Sequence, residues 1–309
     1  MGKTAFLFSG QGAQRAGMGK EFYEHFASVR ALFDAAEELR PGTLQQMFAG
    51  TDEELRQTEN TQPCLYLADL AAAYALRDSG LQPEAVAGFS LGEIPALAFA
   101  GAYDGLTGFR LACVRGASMA RAGKNVNASM AAIVKLPDET VERLCAAYDH
   151  VWPVNYNCDG QIAVSGDRDE LERLYADVAA AGGRSMPLNV SGGFHSPYMD
   201  PASAEFGAIL ADTPLQKPLL PAYANRTAEP YGEKVRELLT QQINHPVRWK
   251  ETLRHLNEQG FDTFVECGAG MVLCKLVRKN LPECRSFAVD SLAGLAKLQE
   301  EGMLCCSAT

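Results

Sequence analysis

Short apolar runs closed by glycine alternate with helix-forming segments along most of this chain. Residues 4–8, 85–88, 261–266 and 286–289 have the length and composition of buried strands. An Ala- and Leu-rich helical segment, residues 64–79, separates the first two and stops at a glycine. Because strands joined through helices run in the same direction, this alternation predicts an α/β fold with a mostly parallel sheet covered by helices on both faces.

Other helices are predicted from amphipathic spacing and end signals. One is expected over residues 18–39, and another after the second strand to about Ala100. Asp104 is a suitable N-cap for a third helix, which runs to about Arg121. A last helix follows the glycine turn at residues 267–270 and ends near Asn280. The residues from Ser291 onward are weakly patterned, and no element is predicted there.

The middle of the chain has a different order of elements. Residues 130–135, 151–155, 161–165 and 184–189 are predicted strands, and residues 138–148 and 167–181 are predicted helices. The order β-α-β-β-α-β is typical of ferredoxin-like modules. The sequence therefore predicts two subdomains. Residues 1–124 and 191–309 form the large one, and residues 125–190 form a small inserted one.

Composition and charge exclude several classes of protein. Apolar residues make up 47% of the 309 positions, so most of the chain can build a core. Acidic residues outnumber basic ones by 38 to 28, which argues against nucleic-acid binding. The nine cysteines include no CxxC pair, so the sequence predicts reduced thiols and neither a disulfide framework nor a metal site.

The N-terminal residues do not predict a signal peptide, because no long apolar stretch follows a basic one. The longest apolar run, residues 94–102, is far shorter than the roughly 20 residues that cross a bilayer. We therefore expect a cytoplasmic protein that binds no membrane, and we expect it to be a monomer.

The G-x-S-x-G sequence at residues 88–92 lies between a predicted strand and a predicted helix. This context is that of a nucleophile elbow, in which glycines permit a sharp turn that exposes the serine hydroxyl. Ser90 is therefore the candidate nucleophile. The N–H of Leu91, at the start of the helix, points to where an oxyanion would form. A tight turn with no catalytic role is the alternative interpretation.

A nucleophilic serine needs a base, and the chain has five histidines. His25 and His255 lie in charged amphipathic segments, and His150 lies in a connection of the small subdomain, where solvated side chains are expected. His195 follows two glycines where the inserted module returns to the large subdomain, a junction where clefts form. His195 is therefore the first candidate and His245 the second.

Five motifs follow one another along the chain: Gly10-Gln11-Gly12-Ala13-Gln14, the elbow extended to Glu93, Arg115-Gly116 followed by Met119, Phe194-His195-Ser196, and Gln242 shortly before Pro246-Val247-Arg248-Trp249. Together they resemble the motifs of malonyl-CoA–acyl carrier protein transacylases, and the resemblance extends over residues 4–290. It implies a large α/β-hydrolase-like subdomain that carries a ferredoxin-like one, in agreement with the order of predicted elements.

The resemblance also implies catalytic roles. Ser90 corresponds to the nucleophile and His195 to its general base. The backbone N–H groups of Gln11 and Leu91 correspond to the oxyanion hole. Gln242 takes the place of a triad acid, with its main-chain carbonyl orienting the imidazole. A neutral acceptor is sufficient for thioester chemistry, because a thiolate is a much better leaving group than an amine.

Substrate-binding residues are implied in the same way. Arg115 corresponds to the ligand of the free acyl carboxylate, which a guanidinium can hold through two parallel hydrogen bonds. Phe194 corresponds to a bulky residue that excludes branched acyl chains, although core packing is the alternative. Asn157 and Gln161 resemble a polar pair that faces the cleft. Phe89 stands where the family usually has histidine, so it removes a polar group from the pocket wall.

The function implied is transfer of a malonyl group from malonyl-CoA to the phosphopantetheine thiol of an acyl carrier protein, by a ping-pong reaction through malonyl-serine, in the service of fatty-acid synthesis. CoA thioester is a substrate, and no cofactor or metal is expected. Three alternatives stay open: a trans-acting acyltransferase of a polyketide synthase, a serine thioesterase or other hydrolase, and a catalytically silent subunit that only binds the carrier protein.

Acyl carrier proteins are acidic, as is this chain, so docking requires a local basic patch. Lys275, Arg278 and Lys279 lie close together on the predicted helix after residues 267–270, at the carboxyl end of a strand. Arg248 and Lys250 are expected to extend this patch. A charged helix end that complements its dipole is the alternative interpretation.

Overall fold

Nine strands form two separate sheets in the computed structural model, which describes residues 2–124, 126–190 and 192–304. The strands are β1 (Lys3–Phe8), β2 (Ala85–Gly88), β3 (Ala128–Val134), β4 (Val151–Cys158), β5 (Gln161–Asp167), β6 (Arg184–Leu188), β7 (Ala222–Tyr223), β8 (Phe261–Cys267) and β9 (Arg285–Val289). The helices before the small sheet are α1 (Lys20–His25), α2 (Ala27–Leu39), α3 (Thr43–Ala49), α4 (Asp52–Arg56), α5 (Thr58–Asp78), α6 (Glu93–Phe99) and α7 (Gly105–Lys124). The others are α8 (Asp138–Cys145), α9 (Arg168–Ala180), α10 (Asp200–Asp212), α11 (Val235–Gln241), α12 (Trp249–Glu258), α13 (Val272–Asn280) and α14 (Leu292–Glu300).

The larger sheet has the order β7-β2-β1-β8-β9, and every neighbouring pair is parallel. Its central strand β1 is buried from Ala5 to Phe8, because apolar side chains of helices cover both faces. The carboxyl ends of parallel strands meet at one edge. The loops that follow Phe8, Gly88 and Cys267 are therefore neighbours, although they are far apart in the sequence.

The smaller sheet has the order β4-β5-β3-β6 and is antiparallel throughout. Helices α8 and α9 cover one face, where Val141 and Leu171 belong to a separate hydrophobic core. This is the strand order of a ferredoxin-like module, and the predicted α/β fold with its small antiparallel subdomain is confirmed. The predicted subdomain boundaries fall on residues 125 and 191, which lie outside the described residues, and they stay a prediction.

The two subdomains are joined through the backbone of Val247. Its N–H donates to the carbonyl of Val154 at 2.8 Å, and its carbonyl accepts from the N–H of Tyr156 at 2.9 Å. The segment before α12 thus runs beside β4 like an additional strand. Lys250, at the start of α12, adds hydrogen bonds to Asp138 and Asp159 of the small subdomain.

In three regions the helices of the structure differ from the prediction. The helix expected over residues 18–39 is broken at Phe26, whose backbone is extended between α1 and α2. The helix expected from residue 64 begins at Thr58 and accommodates Pro63 within its second turn. The weakly patterned C-terminal region forms α14, capped by the Ser291 hydroxyl, which accepts from the N–H of Gly294.

Seven of the nine cysteines lie in the described part of the chain, and all seven are free thiols. The other two, Cys305 and Cys306, lie outside it. Among the described helices, none combines the length and apolarity needed to cross a membrane.

The turn between β2 and α6 depends on two glycines. A Cβ on Gly92 would lie 2.1 Å from the carbonyl oxygen of Phe8, and one on Gly88 would lie 1.9 Å from the carbonyl carbon of Gly92. Both are far closer than a van der Waals contact with backbone atoms, which cannot give way. Strand β1 therefore packs directly against this turn.

We expect Gly92→Ala to lower the free energy of unfolding by about 3 kcal/mol, because the methyl group forces β1 and α6 apart. Gly182→Ala is the matched control, since Gly182 has a φ of +85° but open space around its Cβ position. The free energy of unfolding of the control should fall by only about 1 kcal/mol, because alanine is strained in the left-handed backbone conformation of Gly182. Urea unfolding of both variants measures the difference, and equal losses would show that the close packing does not matter.

Candidate active site

Ser90 lies at the end of β2, at the bend before α6. Its φ of +53° is in the left-handed region, and among the described residues only Lys135, His195 and Ala228 share a positive φ without being glycine. Such backbone strain is tolerated where the surroundings hold it in place. Here the N–H of Ser90 donates to Oδ1 of Asn225 at 2.7 Å. The Asn225 side chain also donates to the carbonyl of Gly88 at 2.6 Å, so it braces both sides of the turn.

His195 is the histidine that reaches Ser90. Its Nε2 lies 2.7 Å from Oγ of Ser90, and its Nδ1 lies 2.9 Å from the carbonyl oxygen of Gln242. A carbonyl can only accept, so Nδ1 carries the proton and Nε2 is free to accept one. Burial, together with the nearby charge of Arg115, lowers the pKa of His195 to about 4. The imidazole is therefore neutral at physiological pH, as a general base must be.

The other four histidines are engaged elsewhere. The second candidate, His245, has its Nδ1 2.8 Å from the carbonyl of Gln241. His25 and His255 contact the carbonyls of Glu21 and Ala228. His150 lies beside Glu170 in the small subdomain.

Gln242 contacts three of the predicted site residues. In addition to its backbone bond with His195, its Oε1 accepts from Nη2 of Arg115 at 2.8 Å. Its Nε2 donates to the backbone carbonyl of Ser90. Gln242, which directly follows α11, therefore holds His195, Arg115 and the turn of Ser90 in place.

Arg115 is fully buried on α7, and its direct hydrogen-bond partners are neutral. Nη1 donates to Gln62 at 2.9 Å, whereas Nη2 donates to Gln242 and also to Oγ of Ser90 at 3.2 Å. Within the described chain its Nε has no hydrogen-bond partner. Burial lowers the pKa of Arg115 to about 10, so the side chain stays charged at neutral pH. This charge sits beside the serine hydroxyl without a bonded counter-ion.

Glu93 is the nearest acid and is also fully buried. Burial raises the pKa of Glu93 to about 7, although hydrogen bonds from the Tyr231 hydroxyl (2.5 Å) and the N–H of Asn225 (2.8 Å) limit the rise. The carboxyl group thus supports the same turn that Asn225 braces. Glu93 belonged to the extended elbow motif, but its structural role has no signal in the sequence.

The predicted oxyanion residues lie in the segments that follow β1 and β2. Leu91 is buried in the turn after the serine, and Gln11 lies in the loop after β1. The side chain of Gln11 accepts from Nε2 of Gln62 at 3.0 Å, and Gln62 also holds Arg115. Gln62 and Asn225 are site residues that the sequence analysis missed, because neither lies in a motif with a chemical signature. The oxyanion roles stay predictions.

A cleft of about 320 Å³ separates the small sheet from α13 and reaches Phe89, the residue before Ser90. Phe89, Asn157 and Gln161 all line it, as does Gln11. The ring of Phe89 packs edge-on against Trp249, with 5.4 Å between the ring centres. Phe194 is not among the lining residues: it is 6% exposed and belongs to the main core.

Two acceptor atoms in this cleft have no donor. Oδ1 of Asn155 and Oδ1 of Asn157 are buried and unpartnered in the described structure. A ligand with amide N–H groups could satisfy both. Asn155 was not among the predicted site residues.

The three candidate docking residues on α13 differ in their contacts. Lys275 is exposed, Arg278 donates to the Ser286 hydroxyl at 3.1 Å, and Lys279 donates to Oε1 of Gln161 at 2.9 Å. The expectation that Lys250 extends this basic patch is wrong, because it is 9% exposed and bonded to Asp138 and Asp159.

Arg248 is paired with Glu251 at 2.5 Å, which reduces its contribution to a basic surface. Within residues 2–124, 126–190 and 192–304, no group of three His, Cys, Asp or Glu side chains has an arrangement that could hold a metal ion.

Comparison with known proteins agrees with this site. A family model described as acyl transferase domain matches residues 5–306. The malonyl CoA-acyl carrier protein transacylase of Bacillus subtilis (strain 168) is 37% identical over 299 residues, which cover 94% of each chain. The chain belongs to this transacylase family. The resemblance seen in the sequence motifs is therefore confirmed.

Solved structures of the family share the fold. The malonyl CoA-acyl carrier protein transacylase of Clostridium perfringens superposes with a TM-score of 0.93 at 32% identity, over 97% of this chain and 96% of that one. A malonyl-transacylase in complex with a type II PKS acyl-carrier protein superposes with a TM-score of 0.92 at 32% identity, over 97% and 99%. The chain is accordingly an acyltransferase of the same architecture.

The low pKa of His195 leads to a test by NMR. We expect the ring of His195 to stay neutral as the pH falls and to become protonated only near pH 4, because burial disfavours the charged imidazolium. Arg115→Met should raise the midpoint, since a repelling charge is lost. Carbon-detected titration of the His195 ring, assigned with His195→Gln, measures both. A midpoint at the ordinary 6.5 would contradict the burial described here.

Proposed function

We propose that this protein transfers a malonyl group from malonyl-CoA to the phosphopantetheine thiol of an acyl carrier protein, through a malonyl ester on Ser90. The proposal rests on one observation. Oγ of Ser90 lies within hydrogen-bonding distance of both Nε2 of His195 and Nη2 of Arg115. A nucleophile, its base and a cation without a bonded counter-ion thus meet at one oxygen atom.

The first half-reaction forms a C–O bond and breaks a C–S bond. Oγ of Ser90 attacks the thioester carbonyl while Nε2 of His195 takes its proton. The backbone N–H groups of Gln11 and Leu91 stabilise the oxyanion. When the C–S bond breaks, the imidazolium returns the proton to the sulfur of CoA, which leaves as a thiol.

The second half-reaction reverses these steps with a different thiol. His195 takes the proton of the phosphopantetheine sulfhydryl, the sulfur attacks the malonyl ester, and the proton passes to Ser90 as the C–O bond breaks. Every proton in this scheme moves between groups of the chain and its substrates. The scheme therefore requires no metal ion and no cofactor beyond the CoA thioester itself.

Arg115 selects the acyl group. A carboxylate carried on Ser90 replaces the Oγ contact of Nη2 and neutralises the guanidinium, whereas an acetyl group leaves that charge unpaired at a cost of about 3–5 kcal/mol. The same ion pair shields the ester from water. In the cleft, the unpartnered oxygens of Asn155 and Asn157 are suited to accept from the amide N–H groups of a pantetheine arm.

Fatty-acid and polyketide synthesis both use this reaction, and one similar solved structure is a malonyl-transacylase bound to a type II PKS acyl-carrier protein. We favour supply of fatty-acid synthesis, with loading of a polyketide synthase as the alternative. Rates measured with carrier proteins of both kinds decide between them. A cytoplasmic location and a monomeric state stay predictions of the sequence.

The central experiment incubates the protein with malonyl-CoA and measures intact mass. We expect an increase of one malonyl group on Ser90 that persists for minutes and disappears when a carrier-protein thiol is added. Ser90→Ala should show no adduct, and His195→Ala should form it far more slowly. Rapid release of free malonate without accumulation would favour the hydrolase. A Ser90→Ala variant that still supports full activity of a polyketide assembly would favour the catalytically silent subunit.

Arg115→Ala tests the origin of malonyl selectivity. We expect malonyl transfer to fall by about a hundredfold, while transfer from acetyl-CoA rises relative to it, because no buried charge needs a carboxylate. Arg121→Ala, on the same helix but exposed and paired with Glu205, is the matched control. An unchanged malonyl-to-acetyl ratio would remove Arg115 from the acyl site.

Reversing Lys275 and Arg278 to glutamate tests carrier docking. We expect the KM for the carrier protein to rise about tenfold through repulsion, while acylation by malonyl-CoA and hydrolysis of a small thioester stay unchanged. Reversing Arg173 and Lys217, which are exposed on other surfaces, controls for net charge. An equal loss of carrier-protein transfer and of small-thioester hydrolysis would argue against a docking role.

A further inference from the structure

Exposed apolar side chains gather at the mouth of the active-site cleft. In the described part of the chain, seven large apolar side chains are exposed: Leu39, Met186, Leu188, Ile209, Leu219, Met271 and Val272. Two of them, Leu188 and Val272, also line the cleft from opposite subdomains. Their neighbours Met186 and Met271 are 45% and 48% exposed. We call these four residues the mouth rim.

The register of the small sheet shows which way β6 faces. Met186 pairs with Ala132, and Ala132 in turn pairs with Ala163 of β5. Paired residues project from the same face of a sheet. Ala132 and Ala163 both line the cleft, so Met186 projects from the cleft face beyond them. Because β6 is an edge strand, this side of the rim borders open solvent.

Basic residues flank the rim on both sides. Arg184 lies two residues before Met186 on β6, so it shares the cleft face and is exposed. On α13, Lys275 lies one helical turn after Met271 and is also exposed. The mouth of the cleft therefore combines an apolar centre with two positive charges, on a chain whose formal net charge is −10.

We infer that the mouth rim seats apolar side chains of the carrier protein, while Arg184 and Lys275 contact its carboxylates. This inference rests on the proposed function. The phosphopantetheine arm must pass between Leu188 and Val272 to approach Ser90, so the protein that carries the arm must lie against the rim. Two acidic proteins repel each other at a distance, and burial of the rim supplies an attraction that does not depend on charge.

The double variant Met186→Thr/Met271→Ser removes the two rim side chains that do not line the cleft. Its matched control, Ile209→Thr/Leu219→Ser, removes two exposed apolar side chains on α10 and before β7. Each protein is assayed for malonyl transfer to a bacterial holo carrier protein and to free pantetheine. Apo carrier protein, which lacks the arm, is titrated as an inhibitor of transfer to holo carrier protein.

For the rim variant we expect the KM for holo carrier protein and the inhibition constant of apo carrier protein to rise together by about tenfold. Transfer to pantetheine and acylation by malonyl-CoA should be unchanged, and the control should behave as the unsubstituted protein. Adding Lys275→Glu to the rim variant should raise the KM again.

Unchanged carrier-protein constants would overturn the inference, and so would an equal loss with pantetheine, which would assign the rim to the arm alone. A wild-type dimer in sedimentation that the rim substitutions convert to monomer would also overturn it, because a second copy would then cover the rim. Failure of the unsubstituted protein to acylate Ser90 would instead refute the proposed function, and so the two failures are distinguishable.

Discussion

A fully buried guanidinium whose hydrogen bonds all go to neutral groups is the constraint on which this site depends. Burying a charge is costly, and the Arg115 side chain is held by the amides of Gln62 and Gln242 together with one hydroxyl. None of these partners neutralises it. The positive charge that remains is directed at the serine, and it also helps to keep the pKa of His195 low.

This arrangement gives a reason for the absence of a carboxylate behind His195. Gln242 presents its carbonyl to the imidazole and its amide oxygen to the guanidinium. An aspartate or glutamate in this position would form an ion pair with Arg115 and compete with the carboxylate of the substrate. A neutral residue orients the base and leaves the cation available, and thioester chemistry tolerates the weaker support.

The sequence predicted those parts of the molecule that local chemistry determines. Two glycines around Ser90 predicted the elbow because only glycine fits where backbone segments touch, and the alternation of elements predicted both sheets. Gln62 and Asn225 could not be predicted, because their roles arise only when distant segments pack together. The break at Phe26 was missed because the amphipathic pattern continues across it, and the sequence carries no glycine or proline there to mark the end of α1.

The backbone pairing of Val247 with β4 has a consequence for how the enzyme can adapt. Two main-chain hydrogen bonds fasten the small sheet to the segment that also carries Trp249, the residue beneath Phe89. Main-chain pairing does not depend on side-chain identity, so substitutions in the cleft walls leave these two hydrogen bonds in place. Longer or branched acyl groups can therefore be accommodated by smaller side chains in the cleft walls while the connection between the two sheets is kept.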